Sequence, residues 1–454
     1  MHPTVCRAVP ALLASVVLCG TVFAQSPLPR RGALGTALTA LTDSSRAALA
    51  LPATESGAVV TTLTPGGTAA TMGVRLGDVV LAVNGAPTRT PGEVVQALAP
   101  LRAGAPIELR TWSAKERVTR RGTLAPRPLE RTERWETIAE EVGAPGSRQR
   151  VLITRPLTAG RHPVLFVIGG IGAYTMDGPL AAVPYGPIFR AFADAGWATV
   201  RVDKPGQGDS EGGPIGTLRF EQELAGYRAA LTHLAKQPWA DTTRVVLFGH
   251  SMGGSFAPIL ASELPMVRGV AVEATIGVTF AEYWLINLRR QLELGGTPAP
   301  QVDALLRDAA RIMPLVMEEG QSPAAVAKAQ PRLAASVAEL FPDGQTLSGM
   351  GIDFFRELNA RNIAEHWSRV SAKVLVMAGE ADFVATRADH PRIAAIVNAA
   401  HPGRATYRLL ERTDHSLNVQ ESEATAFANM GKPAPFNPLI LEVLGAWAKE
   451  WAPG

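Results

Sequence analysis

Ser251 stands in the run Leu247-Phe248-Gly249-His250-Ser251-Met252-Gly253-Gly254, with an apolar strand-like stretch before it and helix-like sequence after it. The glycines two residues to either side leave room for a strand to turn sharply into a helix, where side chains would collide. Such a turn lifts a serine hydroxyl clear of a sheet edge as a nucleophile. A hydroxyl is weak at neutral pH, so it needs a base within hydrogen-bond reach, and the base needs an orienting acid. Two strand-like runs downstream end in suitable groups, the first at Glu380 and Asp382, the second at Asp414 and His415. The reading is Ser251 as nucleophile, His415 as base and Asp382 as acid, with Glu380 and Glu273 as alternatives for the acid. His366, His390 and His401 read as surface or helix-end residues, and His250 as turned away from the serine.

Acyl transfer also needs amides aimed at the charge that develops on the carbonyl oxygen. One is the residue after the nucleophile, Met252; the second is expected from Gly169-Gly170-Ile171-Gly172, with Ile171 preferred and Gly170 beside it. Read as a phosphate loop, these glycines lack the accompanying Lys and Ser/Thr. The substrate implied is a small ester or a peptide.

Residues 135–454 alternate buried-strand runs (VLFVIGG, WATVRVD, RVVLFG, VRGVAVEA, AKVLVMAGE, ATYRLLE) with helices expected over 188–195 and 221–235. That rhythm predicts an α/β fold, a mostly parallel sheet with helices on both faces, preceded by antiparallel strands near Thr137 and Val151. All the strand C-termini then share one edge, which brings Ser251, Asp382 and His415 together. The rhythm breaks between Ala274 and Lys373, a stretch of about a hundred residues, too long for a structureless loop. We expect an inserted helical cap over about 276–365, with helical periodicity at 283–292, 302–319 and 354–367. Tyr283, Trp284, Met313, Met317, Phe354 and Phe355 would give it an apolar interior and pocket wall. Residues 31–126 alternate short β-branched runs with Gly-rich turns and one helix over 92–98, predicting a small β-rich domain. The Pro- and Arg-rich residues 127–134 read as a linker.

The order Ser251, Asp382, His415, with Ile168 to Tyr174, Asp177-Gly178 and Val202-Asp203-Lys204-Pro205-Gly206-Gln207-Gly208-Asp209-Ser210, resembles bacterial α/β-hydrolase carboxylesterases with a helical cap. Gly169-Gly170 replaces a frequent His-Gly, and Lys204-Pro205-Gly206 a frequent Arg-Gly; neither change removes a catalytic side chain. Asp203 and Asp209 read as structural. The smaller domain resembles PDZ domains of bacterial envelope proteases through Gly57-Ala58-Val59-Val60, residues 69–73 and Leu76-Gly77-Asp78-Val79-Val80-Leu81-Ala82-Val83-Asn84-Gly85. That resemblance implies a peptide C-terminus bound beside a strand over 35–38, with its carboxylate on the amides of residues 31–34.

The 454 residues are 46% hydrophobic and 19% charged, which excludes a largely disordered chain. A net charge of +3 from scattered residues leaves no nucleic-acid footprint, and the eight histidines show no metal-binding spacing. No cofactor is expected. Residues 1–24 carry an early Arg7, a short apolar run and Val22 and Ala24 before a cleavage point, a secretory signal rather than a membrane span. The chain is therefore expected to be periplasmic or secreted, without stable membrane insertion. Cys6 and Cys19, both in this segment, are the only cysteines, so the processed chain has no disulfide. The function expected is an exported serine esterase with a PDZ domain. A peptidase of the same fold is the first alternative, and a PDZ-tethered binding protein with an idle hydrolase scaffold the second.

Overall fold

The computed structural model describes residues 27–450; the expected signal, residues 1–24, with Cys6 and Cys19, lies outside the described residues. The Val- and Ile-rich runs form one eight-stranded sheet whose strands are β1 (Trp135–Ala144), β2 (Ser147–Pro156), β3 (His162–Ile168), β4 (Ala198–Val202), β5 (Ala240–His250), β6 (Val267–Glu273), β7 (Lys373–Gly379) and β8 (Ala405–Leu410). Their order is β8-β7-β6-β5-β3-β4-β2-β1. The six strands β3 to β8 are parallel. β2 joins antiparallel to β4, with Val151 opposite Val202, and β1 antiparallel to β2. This is the expected α/β arrangement, including the antiparallel strands at Thr137 and Val151.

Alternation along each strand sends neighbours to opposite faces, and both faces are covered. Val164, Phe166 and Ile168 of β3 pack with the helices Phe220–Leu234 and Gly253–Glu263. Leu165 and Val167 face the helices Gly186–Asp194 and Leu439–Lys449. A parallel strand buried on both sides reads as an unbroken apolar run, which is why these strands were visible in the sequence.

Between β6 and β7 the chain builds the cap from the helices Phe280–Leu294, Ala299–Met317, Pro323–Ala329, Ala334–Leu340, Ile352–Asn359 and Ile363–Ser368. The helix expected over 354–367 is two, because the chain turns at Ala360-Arg361-Asn362 and Asn362 caps the second by accepting from the Glu365 amide. Pro323–Ala329 and Ala334–Leu340 were not expected. Met313, Met317 and Phe354 are cap interior. Phe354 meets Phe220 edge-on at 5.6 Å, and Phe220 stacks on Phe256 at 4.2 Å, so one aromatic column runs from the cap into the helix after Ser251. Arg219 adds contacts to Glu357 (2.8 Å) and Asp353 (3.0 Å) of the cap.

The N-terminal domain is a six-stranded antiparallel sheet (Thr36–Ala40, Ala58–Leu63, Val79–Val83, Ala86–Pro87, Pro106–Ser113, Glu116–Thr123) with the helix Pro91–Leu98. A short helix Asp43–Ala48 was not expected, and the strand expected over 35–38 runs Thr36–Ala40. Both ends of this domain are fastened to the larger one. Arg150 donates to Leu28 O (2.6 Å), the Arg31 amide donates to Asp209 Oδ1 (2.7 Å), and Arg127 donates to Asp177 O (2.6 Å). Asp209 also faces Arg30 and Arg150 at 3.5 and 3.3 Å.

Candidate active site

β5 ends at His250 and the helix Gly253–Glu263 begins three residues on, so Ser251 must turn the chain with φ of 53°, a left-handed conformation that costs a non-glycine residue strain. The crossing is tight. A Cβ on Gly249 would lie 2.8 Å from Gly253 O, and one on Gly253 would lie 2.0 Å from Ile168 O, so neither position admits a side chain.

His415 Nε2 stands 3.0 Å from Ser251 Oγ, and its Nδ1 stands 3.0 Å from Asp382 Oδ2. The other Asp382 oxygen accepts from the amides of Val384 (2.7 Å) and Ala385 (2.9 Å), which fixes the carboxylate. Burial opposes charge on both partners. The mutual attraction outweighs it, and His415 sits above its usual value and Asp382 below. The three side chains can pass a proton from serine to imidazole while the acid stabilises the imidazolium.

The alternatives for the acid are placed elsewhere. Glu380 accepts from the Arg412 amide at 3.0 Å. Glu273 is fully buried, 3.5 Å from His250 rather than beside His415, and burial with nearby Asp382 pushes its carboxyl well above the usual range. His390, read from sequence as a surface or helix-end residue, is buried, because its ring bridges Thr386 O (3.0 Å) and the Thr275 amide (3.2 Å) inside the domain.

His250 is not idle. Its Nδ1 lies 2.8 Å from Tyr185 Oη and its Nε2 lies 2.8 Å from His415 O. The Gly170 amide donates to the same tyrosine oxygen at 2.9 Å. Because an amide can only donate and a carbonyl only accept, proton directions are fixed along the chain: Gly170 N–H to Tyr185, Tyr185 O–H to Nδ1, and Nε2–H to His415 O. Burial, with His415 nearby, pushes His250 down to about 3, so it stays neutral and keeps this tautomer.

This relay corrects one expectation. The Gly170 amide is committed to Tyr185 and is not free for an oxyanion, whereas the Met252 and Ile171 amides have no hydrogen-bond partner among the described residues. Sequence reasoning missed Tyr185, whose only local mark is its place before Gly186, and Lys204, whose ammonium donates to Gly170 O. Tyr185 itself has φ of 63°.

A cavity of about 460 Å³ opens between sheet and cap and reaches Met252 and His415, the neighbours of the serine. Ile171, Met252 and His415 form its floor, Phe280, Tyr283, Trp284 and Phe355 its aromatic walls, and Asn287, Gln291 and Glu339 add polar groups. Among the described residues no Lys or Arg lines it. A second cavity of about 420 Å³ runs between the strand Thr36–Ala40 and the helix Pro91–Leu98 to Arg31 and Arg127. The Arg31 amide, expected there for a peptide carboxylate, is held by Asp209 instead. Among the described residues there is no cluster of three or more metal-ligating side chains, and no helix is long and apolar enough to cross a membrane.

Comparison with known proteins matches residues 181–423, more than half of the chain, to the family described as serine aminopeptidase, S33, and residues 59–112 to the PDZ domain. Esterase FrsA from Photorhabdus laumondii subsp. laumondii is 33% identical over 132 residues, which is 28% of this chain and 28% of that protein, so the match spans well under a third of either. Among solved structures, the α/β hydrolase GrgF from a Penicillium species aligns with 69% of this chain and 97% of its own at 16% identity and a TM-score of 0.43. Acetyl xylan esterase from a Paenibacillus species aligns with 72% and 88% at 14% identity and a TM-score of 0.45.

Proposed function

This chain belongs to the serine aminopeptidase family of α/β hydrolases and carries a PDZ domain, and from that premise we propose that it is an exported serine hydrolase cleaving carboxylic esters. Ser251 Oγ attacks the ester carbonyl as His415 takes its proton, Asp382 holds and charges the imidazole, and the Met252 and Ile171 amides receive the oxyanion. The alcohol leaves with a proton from His415, and water then releases the acid by the same route. The observation that carries this reading is the continuous Ser251, His415, Asp382 arrangement, with both links at 3.0 Å, under an aromatic-walled cavity. An apolar acyl group suits those walls, and a relative named as an esterase is consistent with it.

A peptidase reading has one feature in its favour. Among the described residues Glu339 is the only carboxylate lining the cavity and could meet the ammonium of an N-terminal residue. The test is a paired assay of nitrophenyl esters of graded acyl length against aminoacyl and peptidyl anilides, with Ser251→Ala as control. Serine-dependent ester turnover without anilide cleavage supports the esterase; dominant anilide cleavage makes it a peptidase. Failure of a fluorophosphonate to label Ser251 in folded protein leaves only a binding role. The groove ending at Arg31 and Arg127 is proposed to take a peptide C-terminus. Export rests on residues 1–24, and a secreted chain beginning at Gln25 is its expected mark.

A further inference from the structure

The carbonyl of Gly170 and the amide of Ile171 belong to one planar peptide unit, so whatever grips that oxygen also sets where the N–H points. The oxygen accepts from Tyr174 Oη at 2.7 Å and from Lys204 Nζ. The loop lies against the nucleophile: a Cβ on Gly170 would stand 3.1 Å from Ser251 Cβ. Lys204 is the unusual member of this clamp. Its side chain is 3% exposed and its ammonium lies 3.6 Å from the buried Glu223 Oε1, which also accepts from Tyr227 at 2.6 Å. The ammonium lies 4.8 Å from the centre of the Tyr174 ring. Taking a cation out of water costs several kcal/mol unless partners compensate, and here one partner is the carbonyl next to the expected oxyanion donor.

Resting on the serine-hydrolase reading above, we propose that Lys204 is a positioning residue for the oxyanion hole, acting through Gly170 O on the Ile171 amide. A cation on the carbonyl end of a peptide draws electron density from its nitrogen and makes the N–H a stronger donor. The same charge, inside a poorly screened site, favours negative charge on the far side of that peptide. Both effects are felt when the carbonyl oxygen becomes an oxyanion, so they act on kcat and not on ground-state binding. Tyr185, gripping the preceding amide, keeps the peptide from rotating away.

The experiment compares the wild-type protein with Lys204→Met combined with Glu223→Gln, which removes the pair together and leaves no lone buried charge. An alkyl trifluoromethyl ketone is the probe. Ser251 Oγ adds to its carbonyl carbon, the π electrons move to oxygen as an oxyanion, and the serine proton passes to His415. The matching methyl ketone, which stays largely unadded, reports ground-state binding. For the folded variant we expect kcat on nitrophenyl butyrate to fall about ten- to a hundredfold, less than or comparable to deletion of a hole donor. KM should hold, the trifluoromethyl ketone should weaken by the same factor, and the methyl ketone should be unaffected. Equal weakening of both ketones, or of neither, overturns the proposal. Wild-type protein that binds the methyl ketone yet forms no adduct and turns over no ester overturns the serine-hydrolase reading instead, and the inference with it.

Discussion

His415 is held between an acid that wants it charged and a serine that needs it neutral. Its proton affinity is raised above the usual 6.5 because Asp382 outweighs burial. On the proposed mechanism the neutral ring is the base, so kcat/KM for an uncharged ester should rise with pH and reach its midpoint above 6.5. Stability runs the other way. A raised histidine stabilises the fold below its unfolded value and loses that contribution as pH climbs through the folded one. A depressed carboxylate stabilises above its unfolded value, 3.8 for Asp382, and loses it as pH falls through the folded one. The pair therefore supports the fold best between about 3.8 and 6.5, on the acid side of its activity. Asp382→Asn should lower kcat by about a thousandfold or more and shift the acid limb of the pH-rate profile downward; an unmoved limb would exclude Asp382 as the partner. Ser251, Asp382 and His415 could be picked out from sequence because each follows an apolar strand run. Lys204, Tyr185 and His250 could not, since their shared target is Gly170 or His415, reached across 34, 15 and 165 residues of chain.

At the scale of elements, the parallel strands were plain and the cap was half plain. Ala299–Met317 has a long amphipathic pattern, whereas Pro323–Ala329 and Ala334–Leu340 are short and Ala-rich, with too few turns for a period to emerge. What holds the cap down is aromatic contact between residues distant in sequence. Phe354→Ala should destabilise the protein by about 3–5 kcal/mol, measured by urea unfolding, because a fully buried ring leaves a hole between cap and sheet helices. Trp284→Ala, in the pocket wall, should lower kcat/KM for long or aromatic acyl esters more than for acetate esters. A uniform loss across chain lengths would remove Trp284 from acyl recognition.

At the scale of the whole molecule, a change of composition marks the linker expected at 127–134, but the docking of the domains leaves no mark in the sequence. Asp209 reads from sequence as structural, and it is the group on which Arg30, Arg31 and Arg150 converge between domains. Asp209→Asn should leave the buried Arg150 guanidinium without its paired carboxylate, while Arg30 keeps Asp177, at a cost of about 3–5 kcal/mol. Calorimetry should then resolve two melting transitions where the parent has one; a single transition at the parent temperature would mean the domains are joined by other contacts.

The fastening at Leu28, Arg31 and Arg127 grips the small domain where the chain enters it and where it leaves. A body on one leash tumbles at its own pace, whereas one gripped at both ends turns with its host. The groove of the small domain therefore keeps a constant bearing to the sheet that carries Ser251, as one jaw of a caliper does to its beam.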